Sequence, residues 1–108
     1  MMSAARERLL GLGLRAGKLV VGTGGVRAGL QRGKVALVIV ASDRSPRTYD
    51  KVTRLAEARG VPLLEGPPAS ELGRQVGRDL VQAVGVTDPH LAAGLQQCST
   101  GQGPQEDE

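Results

Sequence analysis

The chain has 108 residues, a formal net charge of +3, one cysteine, one tyrosine and neither Phe nor Trp. That length holds one domain, whose core must be packed by Leu, Val, Ile and Ala. The lone Cys98 excludes an internal disulfide and offers no metal-ligand spacing, and no apolar run approaches the ~20 residues that span a bilayer.

The opening segment MMSAARERLL carries Glu7 and lacks an extended apolar region, so it does not read as a signal peptide, and a reduced, cytoplasmic protein is expected. Ser3 suits the cap of a first helix with Ala5, Leu9 and Leu12 on one face. Leu19-Val20-Val21 reads as a short strand. Gly22 to Gly25 read as a turn, and Val26 to Arg32 as a short helix closed by Gly33. The run from Val35 to Ala41 is the clearest element, continuously apolar as in a strand buried on both faces.

Ser45-Pro46 starts a further helix, with a capping hydroxyl followed by proline at the first helical position. Tyr49, Val52, Leu55 and Ala56 follow at helical spacing, and Gly60 ends the element. Val61 to Leu64 is a strand, Pro67-Pro68 a turn, and Ser70 the cap of a short helix through Val76. Ala83 to Thr87 is the last strand, and Asp88-Pro89 opens a final helix ending near Gln96. Residues 97–108 are polar, Gly/Pro-containing and acidic at the end, and are expected to be a disordered tail behind a domain spanning 1–96. Helices alternating with strands give the class α/β, with about four strands covered on both faces.

Charge is distributed unevenly. Residues 1–54 carry eleven Lys/Arg against Glu7, Asp43 and Asp50, a balance of +8, whereas residues 55–108 carry three against eight acids. Eleven of the fourteen cations are Arg, whose forked guanidinium suits phosphate. A basic half points to a polyanionic partner.

Two phosphate-binding motifs are approximated by VVGTGGVRAGLQRGK. A P-loop requires G-x-x-x-x-G-K-[ST] between a strand and a helix. Here Ala28 replaces the first glycine, Val35 replaces the magnesium ligand, and Gly33-Lys34 follows a helix instead of preceding one. A dinucleotide turn fits Gly22-x-Gly24 and Asp43 better, but the intervening helix is short and the chain lacks a second mononucleotide half. His90 reads as part of a helix start, and no paired carboxylates or nucleophile–base pair stands out, so no enzyme and no cofactor are expected. What remains is a glycine-rich helix N-terminus on the basic half, where backbone N–H groups favour anions. The absence of aromatics argues against base-stacking RNA modules and favours structured RNA read by shape and phosphate.

The ordered segments LRAGKLVVG (14–22), RGKVALVIVASD (32–43), GVPL (60–63) and ELGRQVG (71–77) carry a family resemblance. With them, residues 5–96 resemble the ribosomal L-seven-Ae family of kink-turn RNA-binding proteins, most closely its small bacterial YlxQ-type branch. The resemblance implies a three-layer α/β/α sandwich around a four-stranded mixed sheet. It further implies a monomeric, non-enzymatic partner of structured RNA, ribosomal in kind, in a ribonucleoprotein with ribosomal or translation proteins. It assigns RNA contact to Gly22, Thr23, Gly24, Gly25, Arg27, Ala28, Arg32 and Lys34, with Arg78 in a second segment before the last strand. Of the family pattern of Gly, small residue, Asn, Glu, two variable residues and Lys, only the Gly and the small residue are kept, at Gly22 and Thr23. Gly24, Gly25 and Ala28 stand at the Asn, Glu and Lys positions, so kink-turn selectivity is expected to be weakened and general RNA affinity kept. A protein-interaction module that retains the fold without the RNA site is the alternative.

Overall fold

A computed structural model describes residues 4–102, with side chains to residue 98. The elements in order are α1 (Ala4–Arg15), β1 (Leu19–Val21), α2 (Thr23–Gln31), β2 (Leu37–Val40), α3 (Pro46–Thr48), a π turn (Tyr49–Thr53), α4 (Arg54–Ala58), β3 (Leu63–Glu65), α5 (Ala69–Gln75), β4 (Ala83–Val86) and α6 (Pro89–Gln102). One sheet forms in the order β1-β4-β2-β3. β4 pairs antiparallel with both β1 and β2, and β2 pairs parallel with β3.

β2 and β4 are buried at every position, because helices cover both faces and the usual alternation disappears. The pleat divides their side chains. Leu37, Ile39, Val84 and Val86 join Leu10 of α1, Leu72 of α5 and Leu95 of α6. Val38 and Val40 join Val26 and Leu30 of α2 with Val52 and Ala56 of the α3–α4 rod. The result is the expected α/β/α sandwich on an aliphatic core. Each fully buried branched side chain contributes about 1.5–3 kcal/mol.

Local structure departs from the expectations at several places. In α1 the buried face is Arg6, Leu10 and Gly13, one residue out of step with Ala5-Leu9-Leu12, and Leu12 is 53% exposed. Arg6 goes inward because its Nη2 donates to the Glu65 carbonyl at 3.1 Å, and burial lowers its pKa. Gly24 and Gly25 lie in the first turn of α2, since the helix begins at Thr23 directly after Gly22. Gly22 takes the reversal alone, at φ 101° and ψ 152°, a region closed to most side chains. At α5 the Asp43 Oδ1 accepts the Ala69 N–H at 2.8 Å, and Pro68 occupies the cap position expected of Ser70, which lies inside the helix.

The Ser45-Pro46 start is as expected: the Ser45 Oγ accepts the Thr48 N–H at 3.2 Å. The π turn then shifts the helical phase, so Thr48, Val52 and Ala56 are buried and Tyr49 is exposed. α6 runs to Gln102, past the expected end near Gln96. Ser3 and residues 103–108 lie outside the described residues.

Candidate functional site

Because β4 lies between β1 and β2, the carboxyl ends of β1 and β2 and the start of β4 meet at one end of the sheet. The elements leaving or entering there enclose a cleft of about 520 Å³. α2 supplies Gly22, Thr23, Gly24, Arg27, Ala28 and Gln31; the α3 region supplies Ser45, Arg47, Thr48 and Lys51; and the segment entering β4 supplies Leu80, Val81 and Gln82. Five of the expected contact residues thus share one cavity.

Hydrogen bonds fix the three walls to each other. The Gln82 Oε1 accepts from the Ser45 N–H at 2.9 Å and from the Thr48 Oγ1 at 2.7 Å. The Thr48 and Thr23 hydroxyls lie 3.4 Å apart, and the Gly22 N–H donates to the Ala83 carbonyl at 2.9 Å. The segment before β4 is seated against α5 at Gly73, where a Cβ would lie 2.6 Å from the Asp79 carbonyl oxygen. Only a residue without a side chain admits that approach.

The electrostatics of this cleft are one-sided. Arg27, Arg47 and Lys51 are exposed on its lining, which includes no acidic residue. None of the three takes part in the ion pairs found among the described residues, which use Lys18, Arg44, Arg54 and Arg74. No side chain caps α2, so its first-turn N–H groups have no side-chain acceptor at the helix end that lines the cleft. Aligned peptide dipoles add positive potential there. Leu80, 71% exposed, gives one apolar spot beside these donors.

The remaining expected residues are placed elsewhere. Gly25 is on α2's first turn but faces Val20, whose Cγ1 would be 2.7 Å from an added Cβ. Arg78 is exposed in the segment before β4 and does not line the cavity. Arg32 is the C-terminal cap of α2 and Lys34 follows it, at the opposite end of that helix. Asp43 has a structural task at α5, and His90 and Cys98 lie outside the cleft. Among the described residues no group of three His, Cys, Asp or Glu is placed to hold a metal, and no helix is long and apolar enough to cross a membrane.

Arg47, Lys51 and Gln82 are among the lining residues outside the contacts expected from sequence. Arg47 and Lys51 carried a usable signal: two cations at i, i+4 on a helix of the basic half, hence on one face. Gln82 carried none, since its role depends on which segments meet.

Comparison with known proteins agrees with this architecture. A solved structure of a protein of unknown function from Bacillus halodurans matches with TM-score 0.82 at 30% identity, over 89% of this chain and 97% of that one. The Giardia lamblia 15.5kD RNA binding protein shares the fold, with TM-score 0.72 at 20% identity over 87% of this chain and 81% of that one. RNA-binding protein YlxQ of Bacillus subtilis is 34% identical over 81% of this chain and 87% of its own length. A Geobacillus relative, RNA-binding protein GWCH70_0105, is 39% identical over 66% of this chain and 92% of its own length. Residues 4–95 match the family model itself, and the chain belongs to the ribosomal protein L7Ae/L30e/S12e/Gadd45 family, in its YlxQ-type branch.

Proposed function

We propose that this protein binds structured RNA, without chemistry of its own, by receiving the phosphate backbone in the cleft at the N-terminus of α2. The observation that carries this reading is the lining: Arg27, Arg47 and Lys51 stand around uncapped helix N–H groups with no acid among them. Such a set attracts phosphate and carries little sequence information. The relatives named as RNA-binding proteins support the same reading. The lining hydroxyls of Thr23, Ser45 and Thr48 have no histidine or carboxylate beside them in the cleft to act as a base, which supports a binding role. Gly24 and Ala28 leave the cleft short of groups that read base edges, so discrimination between kinked and straight RNA is small.

Filter binding to ribosomal RNA and to a kink-turn hairpin tests this. Arg27→Ala with Arg47→Ala and Lys51→Ala should weaken both complexes at least about tenfold at low salt, since each charged contact contributes on the order of 1 kcal/mol or more. Unchanged affinity in the folded triple variant would remove the cleft from consideration. Partners that survive nuclease treatment in a pulldown would instead favour a protein-interaction module.

A further inference from the structure

We propose that the groove between α1 and α6 docks an acidic helical segment of a partner protein, anchored by one large apolar side chain. α1, α5 and α6 pack on one face of the sheet, and α2 with the α3–α4 rod packs on the other. The groove belongs to the first face, and the cleft is walled by elements of the second. A segment bound between α1 and α6 therefore leaves the cleft open to RNA.

The groove has a volume of about 230 Å³ and is lined from α1 and its C-terminal edge by Leu9, Leu12, Gly13 and Ala16, and from α6 by Leu91. Gly13 lets the two helices approach closely, since a Cβ there would lie 2.5 Å from the Leu91 Cδ2. Leu10, Ala92 and Leu95 hold the same helices in the common core. The groove is thus preformed, which lowers the ordering cost of filling it. Leu12 carries the apolar lining out to the surface, where it is 53% exposed.

Charge selects the occupant. Arg8 and Arg15 stand four residues before and three after Leu12, which puts all three on one side of α1, next to the row of Leu9, Gly13 and Ala16. Both arginines are exposed, and neither joins an ion pair among the described residues. The acids close by are engaged elsewhere. Asp88 accepts the Leu91 N–H at 2.8 Å and pairs with Lys18 at 3.5 Å. Glu7 lines a separate hollow with Glu71 and Gln75, and α6 contains no acidic residue. Arg8 and Arg15 are separated by about 10 Å along the helix axis at 1.5 Å per residue. Carboxylates two turns apart on a partner helix match that separation, with the apolar anchor between them entering the groove. An apolar centre with a charged rim is the anatomy of a protein interface. A phosphate backbone would meet the arginines and leave the leucines in water.

The probe is a synthetic helical peptide with two Glu placed two turns apart and a Leu midway on the same face, titrated into the isotope-labelled full chain. Amide resonances of residues 9–16 and 89–94 should shift, and those of residues 22–27 should not. Leu12→Ala should weaken the complex about tenfold, as expected for loss of a central contact. Arg8→Ala with Arg15→Ala should weaken it about fivefold in ~0.05 M salt and far less in ~0.5 M. A peptide with Lys in place of both Glu should not bind wild type, a control that needs no variant to fold. Absence of shifts in the groove, or binding of the Lys peptide as tight as that of the Glu peptide, overturns the docking site. Self-association of the free chain that Leu12→Ala abolishes in sedimentation also overturns it, by making a second copy the occupant. Weakened RNA binding in the double arginine variant, with the peptide complex unchanged, overturns it by giving the rim to RNA. A kink-turn hairpin that binds the peptide-saturated protein as tightly as the free one supports two separate surfaces. Failure of the cleft to bind RNA leaves the groove titration unaffected.

Discussion

At Gly24 an added side chain would meet nothing within 4 Å, and at Gly25 it would meet the Val20 methyl at 2.7 Å. Both glycines have helical backbone, since neither is among the positive-φ residues. The two positions therefore differ in room and not in backbone strain. Ala28 already lines the cleft, so a longer side chain there projects into it. Gly24→Asn with Ala28→Lys should fold as wild type and regain part of the preference for a kink-turn over a straight duplex. Adding Gly25→Glu should raise that preference further while costing some stability, because Val20 must turn its branched side chain. If each recovered contact contributes on the order of 1 kcal/mol, the gain is tenfold or more in relative affinity. Competition binding read beside a circular-dichroism melt checks both halves of this expectation. A folded triple variant with no gain would show that α2's first turn does not face the kink.

Among the elements, Gln82 holds β4's entry strand to the start of α3, and a single acceptor oxygen serves two donors. Gln82→Leu leaves the Ser45 N–H and the buried Thr48 hydroxyl without that partner, at an expected cost of about 1–3 kcal/mol, and should weaken RNA binding by loosening the Arg47 wall. Gln82→Glu keeps an acceptor and should restore most of the stability; denaturant melts of the two variants separate hydrogen bonding from side-chain size. At α6 the helix start is Asp88, whose Oδ2 accepts the Leu91 N–H at 2.8 Å. That bond, with help from Lys18, lowers the carboxyl pKa. A lowered folded-state value gives stability that is present above the ordinary Asp value near ~3.9 and lost as pH falls through the folded one. Asp88→Asn keeps an acceptor without the charge, so its acid unfolding limb should be shallower than that of wild type.

These same elements show what was legible in sequence. β2 stood out because burial on both faces writes a continuous apolar run, and α3 because Ser45-Pro46 is a local chemical signal. The α1 face was misread because a buried Arg breaks the apolar period, and the α2 start because glycines suggest a turn where one of them suffices. Of the site, the α2 side was legible as a glycine-rich turn in a basic segment. The wall opposite was not, because Arg47, Lys51 and Gln82 come together only through the insertion of β4 between β1 and β2.

Over the whole molecule, the fold sorts the cations of the basic half by role. Arg6 is buried against the Glu65 carbonyl, Lys18 pairs with Asp88, Arg44 with Glu65 and Arg54 with Asp50. Arg27, Arg47 and Lys51 at one end of α2, and Arg32 and Lys34 at the other, remain available to a polyanion. Five phosphate contacts give a log–log salt slope of roughly −3 to −5. Against this field stand Glu106, Asp107 and Glu108, three of the eleven acids in the chain. Their negative charge is expected to oppose phosphate binding, most strongly where the Debye length is long. Deleting residues 103–108 should therefore raise RNA affinity about two- to threefold in ~0.01 M salt, where screening reaches about 30 Å, and leave it unchanged near ~0.3 M. The melting temperature should stay within a degree or so, because the aliphatic core lies within residues 10–95. Affinity that does not rise at low salt would mean the three acids do not reach the basic end of α2, and a lowered melting temperature would make the segment part of the fold.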